Sequence, residues 1–518
     1  MRSEATSSSS WLGRIPPTAT SAPSGGSGKC RHFIFFSSSC CKTTNTISCG
    51  FNGPTTHSSS SSPSTRSYCR RWYNPLRRKP FDEPSPDVLR HWIDADPNPI
   101  SSQERFSVVS YNILGDKNAF KHRDLYQNVR YEYMKWNRRK RLICQELIGL
   151  NPDIICMQEV DRYFDILNVM EKAGYAGCYK RRTGDNVDGC AMFWKADKFR
   201  LLEQTSIEFK EFGLRENVAQ LSAFEMRNTK SRRVLVGNIH VLYNPNRGEV
   251  KLGQICFLSS RAQIVAEKWG NIPVVLAGDF NITPQSAIYK FLSSSELNIK
   301  SYDRRDLSGQ RSCHLVQVFE VKKEIINPFA VMDREDVMTF FDFIAFSSDF
   351  RLLPNGWTDE EVKVATGNAQ CYLAVHPLKL NSSYASVKGS PRTRGINGEP
   401  LATSYHSKFF GTVDYLWYTK GLVPTRVLDT LPVDILRRTG GLPCKVRTVE
   451  RVGFAISCCM TQKLHESVSA WDDIVHFQGF LKKLGSDHLA LVSEFAFAEA
   501  INECNDYMST SSEKIAMH

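Results

Sequence analysis

Residues 274–281 read VVLAGDFN, in which a run of aliphatic side chains leads directly into a Gly-Asp-Phe-Asn sequence. The aliphatic run predicts a buried strand, and polar residues at a strand end stand where an α/β sheet usually places its site. Asp279 and Asn281 are two apart and point the same way, so a carboxylate that orients water would stand beside an amide that holds a phosphate oxygen. A tight turn uses the same residue types, but the uninterrupted aliphatic run favours function.

Outward from this stretch, short apolar runs rich in Val, Ile and aromatic residues alternate with segments of helical periodicity. The predicted strands are Phe106 to Tyr111, Ile154 to Gln158, Gly189 to Trp194, Leu201 to Phe209, Ala219 to Glu225, Arg233 to His240, Val274 to Gly278, Val413 to Tyr418 and Ala490 to Phe495. The predicted helices are Met134 to Gly149, Arg162 to Ala173, Gly253 to Trp269 and Ser286 to Ser294, and Asn381 to Gly411 is expected to be a long loop. The order predicts an α/β fold of two mixed β-sheets packed face to face and flanked by helices, a four-layer α/β sandwich.

Two further polar residues follow predicted strands. Asn112 stands in SYNILGD and Glu159 in IICMQEVD. Asn112 alone would be interpreted as a turn residue. A carboxylate after a buried strand suits magnesium, which takes oxygen ligands, although an acidic residue in the first turn of a helix would look the same.

Acidic and histidine side chains also stand in or beside the last predicted strands. Asp414 lies in GTVDYLWY, and Asp487 and His488 precede the final strand in SDHLALVSEF. A carboxylate within an apolar strand needs a partner, and an imidazole held by Asp414 would have its tautomer fixed for contact with a phosphate. His240, at the end of VLVGNIH, is a second candidate donor. Together these residues match the requirements of metal-assisted phosphodiester hydrolysis.

Seven motifs occur in order along the chain: SYNIL, QEVD, DGCAMFW, NIHVLYNP, GDFN, VDYLWY and SDHLAL. This series resembles the endonuclease/exonuclease/phosphatase superfamily. Within it the chain is similar to the plant members of the carbon catabolite repressor protein 4 group of deadenylases, relatives of nocturnin and the Angel proteins. The resemblance runs from about residue 106 to residue 495. It implies a magnesium-dependent 3′-to-5′ exoribonuclease that removes poly(A) tails from mRNA and releases 5′-AMP.

Carried over by position, the resemblance implies a role for each motif residue. Glu159 would bind Mg²⁺ with Asn112 nearby, and Asp487 would be a further carboxylate on the metal side. Asp279 would activate or orient the attacking water.

The resemblance also implies how the substrate is held. Asn281 and His240 would hold the scissile phosphate, and His488, paired with Asp414, would support the transition state.

The matching residues for the terminal adenine are Pro245 in LYNP and Phe409 in SKFFGTVDY, and Asn244 beside Pro245 is also assigned to the substrate. Aromatic stacking tolerates any base, so a preference for adenine would depend on contacts to the base edge.

Two other functions remain open at this point. The first is a different substrate at the same site, since the relatives include a 2′-phosphodiesterase and the dinucleotide phosphatase nocturnin. The fold alone does not choose between these substrates. An inactive RNA-binding scaffold would require a missing ligand, and each of the motif positions carries its expected residue.

The first eighty residues differ from the rest in composition. They are rich in Ser, Thr, Pro and Arg and hold eleven Lys or Arg against the single acidic residue Glu4, which accounts for ten of the twelve net positive charges. Such a segment cannot bury enough apolar surface to fold, so residues 1–103 are predicted to be a disordered leader. The overall basicity is therefore weak evidence for nucleic-acid binding. The composition is typical of a mitochondrial or plastid transit peptide, with an untargeted tail as the alternative, whereas the family resemblance implies cytoplasm and nucleus.

The predicted catalytic domain spans residues 104–497, followed by a C-terminal tail of residues 498–518. Within the domain, residues 446–482 interrupt two segments that are nearly adjacent in relatives, and we expect this atypical insertion to lack a packed core. The scattered cysteines predict reduced thiols, and the sequence offers no apolar run of membrane-spanning length.

An RNA with a poly(A) 3′ tail is the expected partner. No leucine-rich repeat precedes the domain, which argues against assembly into the large deadenylase complex, and other mRNA-decay proteins remain possible partners.

Overall fold

The computed structural model describes residues 90–96, 104–229, 232–311, 356–444 and 483–498. Seventeen strands lie in these ranges: β1 Trp92–Asp94, β2 Arg105–Asn112, β3 Ile154–Gln158, β4 Tyr175–Arg181, β5 Gly189–Lys195, β6 Phe199–Glu208, β7 Val218–Met226, β8 Arg233–His240, β9 Val274–Asp279, β10 Glu296–Asn298, β11 Leu373–Val375, β12 Leu380–Ser382, β13 Ser404–His406, β14 Phe409–Gly411, β15 Asp414–Thr419, β16 Leu422–Leu428 and β17 Leu491–Phe497. The α-helices of the same ranges are α1 Asp116–Lys121, α2 Tyr131–Met134, α3 Trp136–Leu150, α4 Tyr163–Lys172, α5 Gly248–Lys268, α6 Ala287–Ser294, α7 Asp359–Thr366, α8 Ser383–Ser386 and α9 Val433–Thr439.

Two mixed sheets form the centre of the fold. The first sheet has the order β1-β16-β17-β2-β3-β5-β4, and the second has the order β12-β15-β9-β8-β7-β6. Each contains one parallel pair, β2 with β3 and β8 with β9, and the other pairings are antiparallel. The parallel pairs bring the carboxyl ends of their strands to one edge, which is where the polar motif residues stand.

Side chains that alternate along β2 show how the layers pack. Phe106 and Val108 face the second sheet in an apolar layer shared with strands of both sheets, whereas Val109 and Tyr111 face α3 and α4 on the outside. This period of two is the pattern of a strand buried on both faces. A fully buried side chain of this kind stabilises the fold by roughly 1.5–3 kcal/mol.

The outer face of the second sheet packs against α5, α6 and α7. Helix α5 is buried along most of its length, and at Gly253 an added Cβ would lie 2.2 Å from the carbonyl oxygen of Val364 on α7. Glycine at this position is therefore what allows the two helices to approach so closely. The predicted four-layer α/β sandwich of two mixed sheets flanked by helices is confirmed.

The strands and helices predicted from the sequence are all present, with bounds that agree or differ by up to five residues. The prediction missed the short edge strand β1 and the short helices, because brief segments carry little periodicity, and it also missed the longer strands β4 and β16. The predicted long loop from 381 to 411 is wrong in part, since it contains the end of β12, α8, β13 and β14.

The predicted leader boundary at residue 103 needs a correction. Trp92–Asp94 pairs with β16 as an antiparallel edge strand of the first sheet, so residues 90–96 belong to the folded unit. The other leader residues, the predicted insertion 446–482 and the C-terminal tail beyond residue 498 lie outside the described residues. Within the described ranges, none of the helices has the length and apolar character to cross a bilayer.

Candidate active site

Three polar residues of the second sheet stand side by side because of strand register. His240 is paired with Asp279 across the parallel β8 and β9, and Asp279 is paired with Asp414 across β9 and β15. All three are at least nine-tenths buried. The sheet therefore fixes two carboxylates and an imidazole in one row at the same edge.

Asn112, at the end of β2, connects this row to the first sheet. Its Nδ2 donates to Asp279 Oδ2 at 3.0 Å and to Glu159 Oε1 at 3.1 Å, and its Oδ1 accepts from the Leu114 backbone N–H at 3.0 Å. The side chain is fully buried. The interpretation of Asn112 as a mere turn residue is thereby excluded, because its amide orients two carboxylates from different sheets.

Glu159 lies directly after β3 in a left-handed backbone conformation, with φ of 58°. Such a conformation is uncommon for a glutamate and is typical of functional sites where the surroundings hold the chain. Oε2 accepts from the Gly115 backbone N–H at 3.1 Å and from Asn118 Nδ2 at 2.9 Å. The side chain is half-buried and lines a cavity, so its carboxylate is both fixed and accessible.

His488 lies beside the row with its Nδ1 2.8 Å from Asp414 Oδ2, as expected from the sequence. Its Nε2 is 3.9 Å from Asp279 Oδ2. Burial lowers the pKa of His488, but the carboxylates of Asp414, Asp487 and Asp279 together outweigh burial and raise this pKa well above its ordinary value. These carboxylates therefore favour the protonated, positively charged imidazole.

Burial shifts the pKa values of Asp279 and His240 in opposite directions, each toward the uncharged form. Burial, together with the charge of Asp414, raises the pKa of Asp279 to about 7, against the opposing effects of His488 and Asn112. Burial, with the nearby charge of Arg182, lowers the pKa of His240 to about 3. His240 Nε2 lies 3.6 Å from Asp279 Oδ2, so the neutral imidazole stands directly beside the carboxyl group.

Asn281 turns back toward the row in a left-handed conformation with φ of 51°, which asparagine adopts more readily than most residues. Its backbone N–H donates to Asp279 Oδ1 at 2.9 Å, and its Nδ2 donates to the Val241 carbonyl at 3.0 Å. From helix α5, Lys251 Nζ donates to the Asn281 carbonyl at 2.7 Å. Asn281 is thus held at both its backbone and its side chain.

The site opens into one cavity of about 390 Å³. Of the residues predicted from the sequence, those that line it are Glu159, His240, Asp279, Asn281, Phe409, Asp487 and His488. Asn112 and Asp414 lie behind this lining and contact it through the hydrogen bonds described above. The structure thus gathers these predicted residues at one site.

The predicted substrate residues Asn244 and Pro245 are placed differently. Neither is among the described residues that line the cavity, whereas the neighbouring Tyr243, 53% exposed, does line it. Asn244 Oδ1 instead accepts the Asn246 backbone N–H at 2.9 Å within the turn. The roles assigned to this pair by resemblance stay predictions.

The donor atoms at the cavity fit a hard divalent cation. Glu159 and Asp487 present carboxylate oxygens to the cavity, the kind of ligand that magnesium takes alongside water. Asp279, Asp414 and His488 also offer ligand atoms within 4.8 Å of one another. In that second set, Asp414 Oδ2 and His488 Nδ1 are already hydrogen-bonded to each other at 2.8 Å.

The sequence matches the model of the endonuclease/exonuclease/phosphatase family over residues 109–488. The chain belongs to this family. It is therefore a hydrolase of the nuclease and phosphatase type, and the residues gathered at the cavity belong to its candidate active site.

Curated relatives of this family member include two from Arabidopsis thaliana. Carbon catabolite repressor protein 4 homolog 3 is 55% identical over 450 residues, which cover 86% of this chain and 88% of the relative. Homolog 5 is 46% identical over 379 residues, which cover 71% of this chain and 80% of the relative. Among solved structures, ANGEL2, described as a 2′,3′-cyclic phosphatase, matches with a TM-score of 0.55 and 26% identity, over 79% of this chain and 98% of that chain.

Sequence reasoning missed several residues that complete this family site. Asn118 donates to Glu159, Tyr126 donates its hydroxyl to Asp487 Oδ2 at 2.8 Å, and Gln310 Nε2 donates to Asn281 Oδ1 at 3.2 Å. Lys251 is fully buried on α5, but the predicted helix began at Gly253 and so did not include it. The other three carry no sequence signal, because their partners are distant in the chain.

Proposed function

We propose that this chain is a magnesium-dependent 3′-to-5′ exoribonuclease that removes poly(A) tails and releases 5′-AMP. The observation that carries the proposal is the shared cavity, in which the hydrolytic residues stand beside two aromatic side chains, Phe409 and Tyr243. A phosphodiester bound at Asp279 would thus have an aromatic surface within reach for its base, and stacking on such a surface accepts the terminal nucleotide of a chain. The resemblance of the ordered motifs to the plant deadenylase group supports adenosine as the base.

The chain's own residues divide the reaction between them. Asp279, with its pKa near 7, orients water and takes its proton, while the Asn281 backbone amide fixes the carboxyl group. The positively charged His488 faces the growing negative charge on the phosphate, and the neutral His240 offers a hydrogen bond. Asp414 keeps His488 charged and oriented.

Glu159 and Asp487 would hold the magnesium ion, with Asn112 orienting the Glu159 carboxylate. When bound, the ion would polarise a phosphate oxygen and neutralise negative charge. Tyr126 and Asn118 fix the two carboxylates by direct hydrogen bonds, so the ligands are oriented in advance.

A time course on 5′-labelled RNA with a 3′ tail of twenty adenosines tests the proposal, alongside the same RNA with a non-adenosine tail. We expect a ladder of shortening that is confined to the adenosine tail, and that Glu159→Ala and a chelator both abolish. Glu360→Ala, which removes an exposed carboxylate of α7, is the matched control and should retain activity. An intact adenosine tail with the wild-type chain in magnesium would contradict the proposal.

A second candidate function is favoured by the structural similarity to ANGEL2. We propose removal of a 2′,3′-cyclic phosphate from an RNA end as the alternative, since ANGEL2 is described as a 2′,3′-cyclic phosphatase and the reaction would use the same cavity. An RNA that ends in a 2′,3′-cyclic phosphate belongs in the same assay. Loss of the cyclic phosphate without shortening of the adenosine tail would select this alternative, and a 2′-linked oligoadenylate or a dinucleotide phosphate would test the remaining ones.

A further inference from the structure

Helix α1 separates two cavities. Asn118 and Lys121 line the active-site cavity on one side of the helix. Ala119 and Phe120 line a second cavity of about 600 Å³ on the other side. Tyr126 lines both, so the two cavities are adjacent across this short segment.

Four residues of the second cavity form what we call the aromatic–basic groove: Phe120, Arg123, Tyr131 and Lys135. The Arg123 guanidinium carbon lies 4.2 Å from the centre of the Phe120 ring and 5.9 Å from that of Tyr131, and Lys135 Nζ lies 5.3 Å from the Tyr131 ring centre. Aromatic and cationic side chains thus alternate along the groove. Phe120 is 68% exposed and Tyr131 is 63% exposed, which is unusual for large side chains that serve only packing.

The groove has net positive charge despite two acidic residues at its edge. Asp116 is paired with Arg162 at 2.6 Å, and Asp165 accepts a hydrogen bond from Trp136 Nε1 at 2.7 Å. Within the described ranges, neither cation of the groove has a carboxylate partner within ion-pair distance. Both cations are therefore available to an anionic ligand.

We propose that the aromatic–basic groove binds single-stranded RNA upstream of the 3′ end that occupies the active site. Aromatic rings accept any base by stacking, and interleaved cations contact the backbone phosphates, which is the usual design of a sequence-independent single-strand site. The groove lies next to the active-site cavity across α1, with Tyr126 lining both, which places it on the path of a strand whose 3′ end is in the site. This inference rests on the proposed ribonuclease function and extends it to the body of the tail.

The kinetic test compares substrates of different length. Sites of this type cover roughly 4–16 nucleotides, so a strand of three adenosines is too short to fill both cavities and one of twenty adenosines is long enough. For Phe120→Ala with Tyr131→Ala, we expect the ratio of kcat/KM between the long and the short strand to fall at least about five- to hundredfold, the loss that one base stack would cause. The change should lie in the KM of the long strand. Leu373→Ala, an exposed apolar side chain outside the groove, is the matched control.

A binding test works without catalysis. Fluorescence anisotropy of labelled RNA of twenty adenosines is measured in chelator over a series of salt concentrations. Arg123→Glu with Lys135→Glu should weaken binding and reduce the slope of log affinity against log salt by about 0.7 for each phosphate that the groove no longer neutralises. Lys300→Glu is the matched charge control, since it reverses the charge of a side chain 4.0 Å from the centre of the Tyr372 ring. It should leave the RNA affinity and the salt slope unchanged.

The outcomes separate this inference from the proposed function. If the wild-type chain shortens the long strand and the groove variants keep its KM and the wild-type salt slope, the groove does not bind RNA and the inference is wrong, while the exonuclease proposal stands. A groove that contacts only a protein would give the same result. If the wild-type chain neither binds nor shortens the long strand, both proposals fail together.

Discussion

His488 shows at the scale of single residues how the fold sets the chemistry. A histidine buried alone would be neutral, because burial disfavours the charged form. Here Asp414 lies 2.8 Å from Nδ1, and its charge, with those of Asp487 and Asp279, keeps the ring protonated. The charge available for a phosphate therefore depends on a residue that does not itself line the cavity.

Asp414→Asn tests this dependence. We expect kcat to fall by roughly 10²–10⁴-fold, the range typical of a displaced acid–base group, with a smaller change in KM. Because the substitution removes the largest charge that raises the pKa of His488, the ring should lose its proton at a lower pH and activity should decline earlier as the pH rises. The pH profile of kcat and histidine NMR titrations measure both effects.

The control for this prediction is Asp434→Asn, an exposed carboxylate of α9 that pairs with Arg392 outside the site. It should keep the wild-type kcat and pH profile. If the kcat of Asp414→Asn declined at the same alkaline pH as that of the wild type, Asp414 would not be what raises the pKa of His488.

Single residues also show how much of the candidate site the sequence alone could predict. Asp279 and Asn281 were identifiable because a strand runs directly into them. The function of Asn112 was not, since a turn would use the same residue, and only its bonds to Glu159 and Asp279 exclude that interpretation. Those bonds join positions 47 and 167 residues apart, which no local pattern reports.

At the scale of secondary-structure elements, the site is built at strand ends whose backbone leaves the strand in a left-handed turn. Leu114, Glu159 and Asn281 all have positive φ, and all three stand at or beside the cavity. Such turns reverse the chain at once and bring the side chain over the sheet edge. Their cost of order 1–3 kcal/mol each is offset by the hydrogen bonds that hold them.

The elements that flank residues 446–482 lead to a second prediction. The Leu484 backbone N–H donates to the Cys444 carbonyl at 2.9 Å, so the chain on the two sides of residues 446–482 already meets. Joining Lys445 directly to Lys483 would convert this bond into the i to i+3 bond of a β-turn, whose commonest type accepts most residues at its centre. We expect the shortened chain to keep its nuclease activity.

Its free energy of unfolding should rise by no more than roughly 2–3 kcal/mol, because each halving of a closed loop lowers the entropic cost of closure by only about 0.6 kcal/mol. Urea denaturation and the adenosine-tail assay measure the two quantities. A shortened chain that is unfolded or inactive would show that residues 446–482 contribute to the fold or to the site.

At the scale of the whole molecule, the first described residues anchor the edge of the first sheet. Arg90 is almost fully buried, and its guanidinium donates to the carbonyls of Asp429 at 2.8 Å and Ala490 at 2.6 Å and pairs with Glu146 at 3.5 Å. Burial raises the pKa of Glu146, and the charge of Arg90 opposes this rise. The folded unit thus depends on a residue inside the predicted leader.

A chain that begins at residue 104 should therefore be less stable than one that begins at residue 84. We expect a loss of about 3–5 kcal/mol in the free energy of unfolding, the cost of leaving a buried charge without its partner. Arg90→Met in the longer chain should show most of this loss. The double variant Arg90→Met with Glu146→Leu should recover stability, since both charges are removed together.

Chemical denaturation of the four proteins measures these differences. Equal midpoints for the chains that begin at 84 and 104 would show that β1 and Arg90 contribute nothing to the folded unit.

The sequence by itself determined the class of the fold and most of the candidate site, because both depend on local patterns. Aliphatic runs fix the long strands, and a polar residue directly after such a run marks a strand end without knowledge of its neighbours. The tertiary structure decided the rest. Edge strands such as β1, the bond from Asn112 to both sheets, the groove across α1 and the placement of Tyr243 rather than Pro245 at the cavity all depend on residues far apart in the chain. Periodicity carries no information about such contacts, since only the packing of the two sheets brings these residues together.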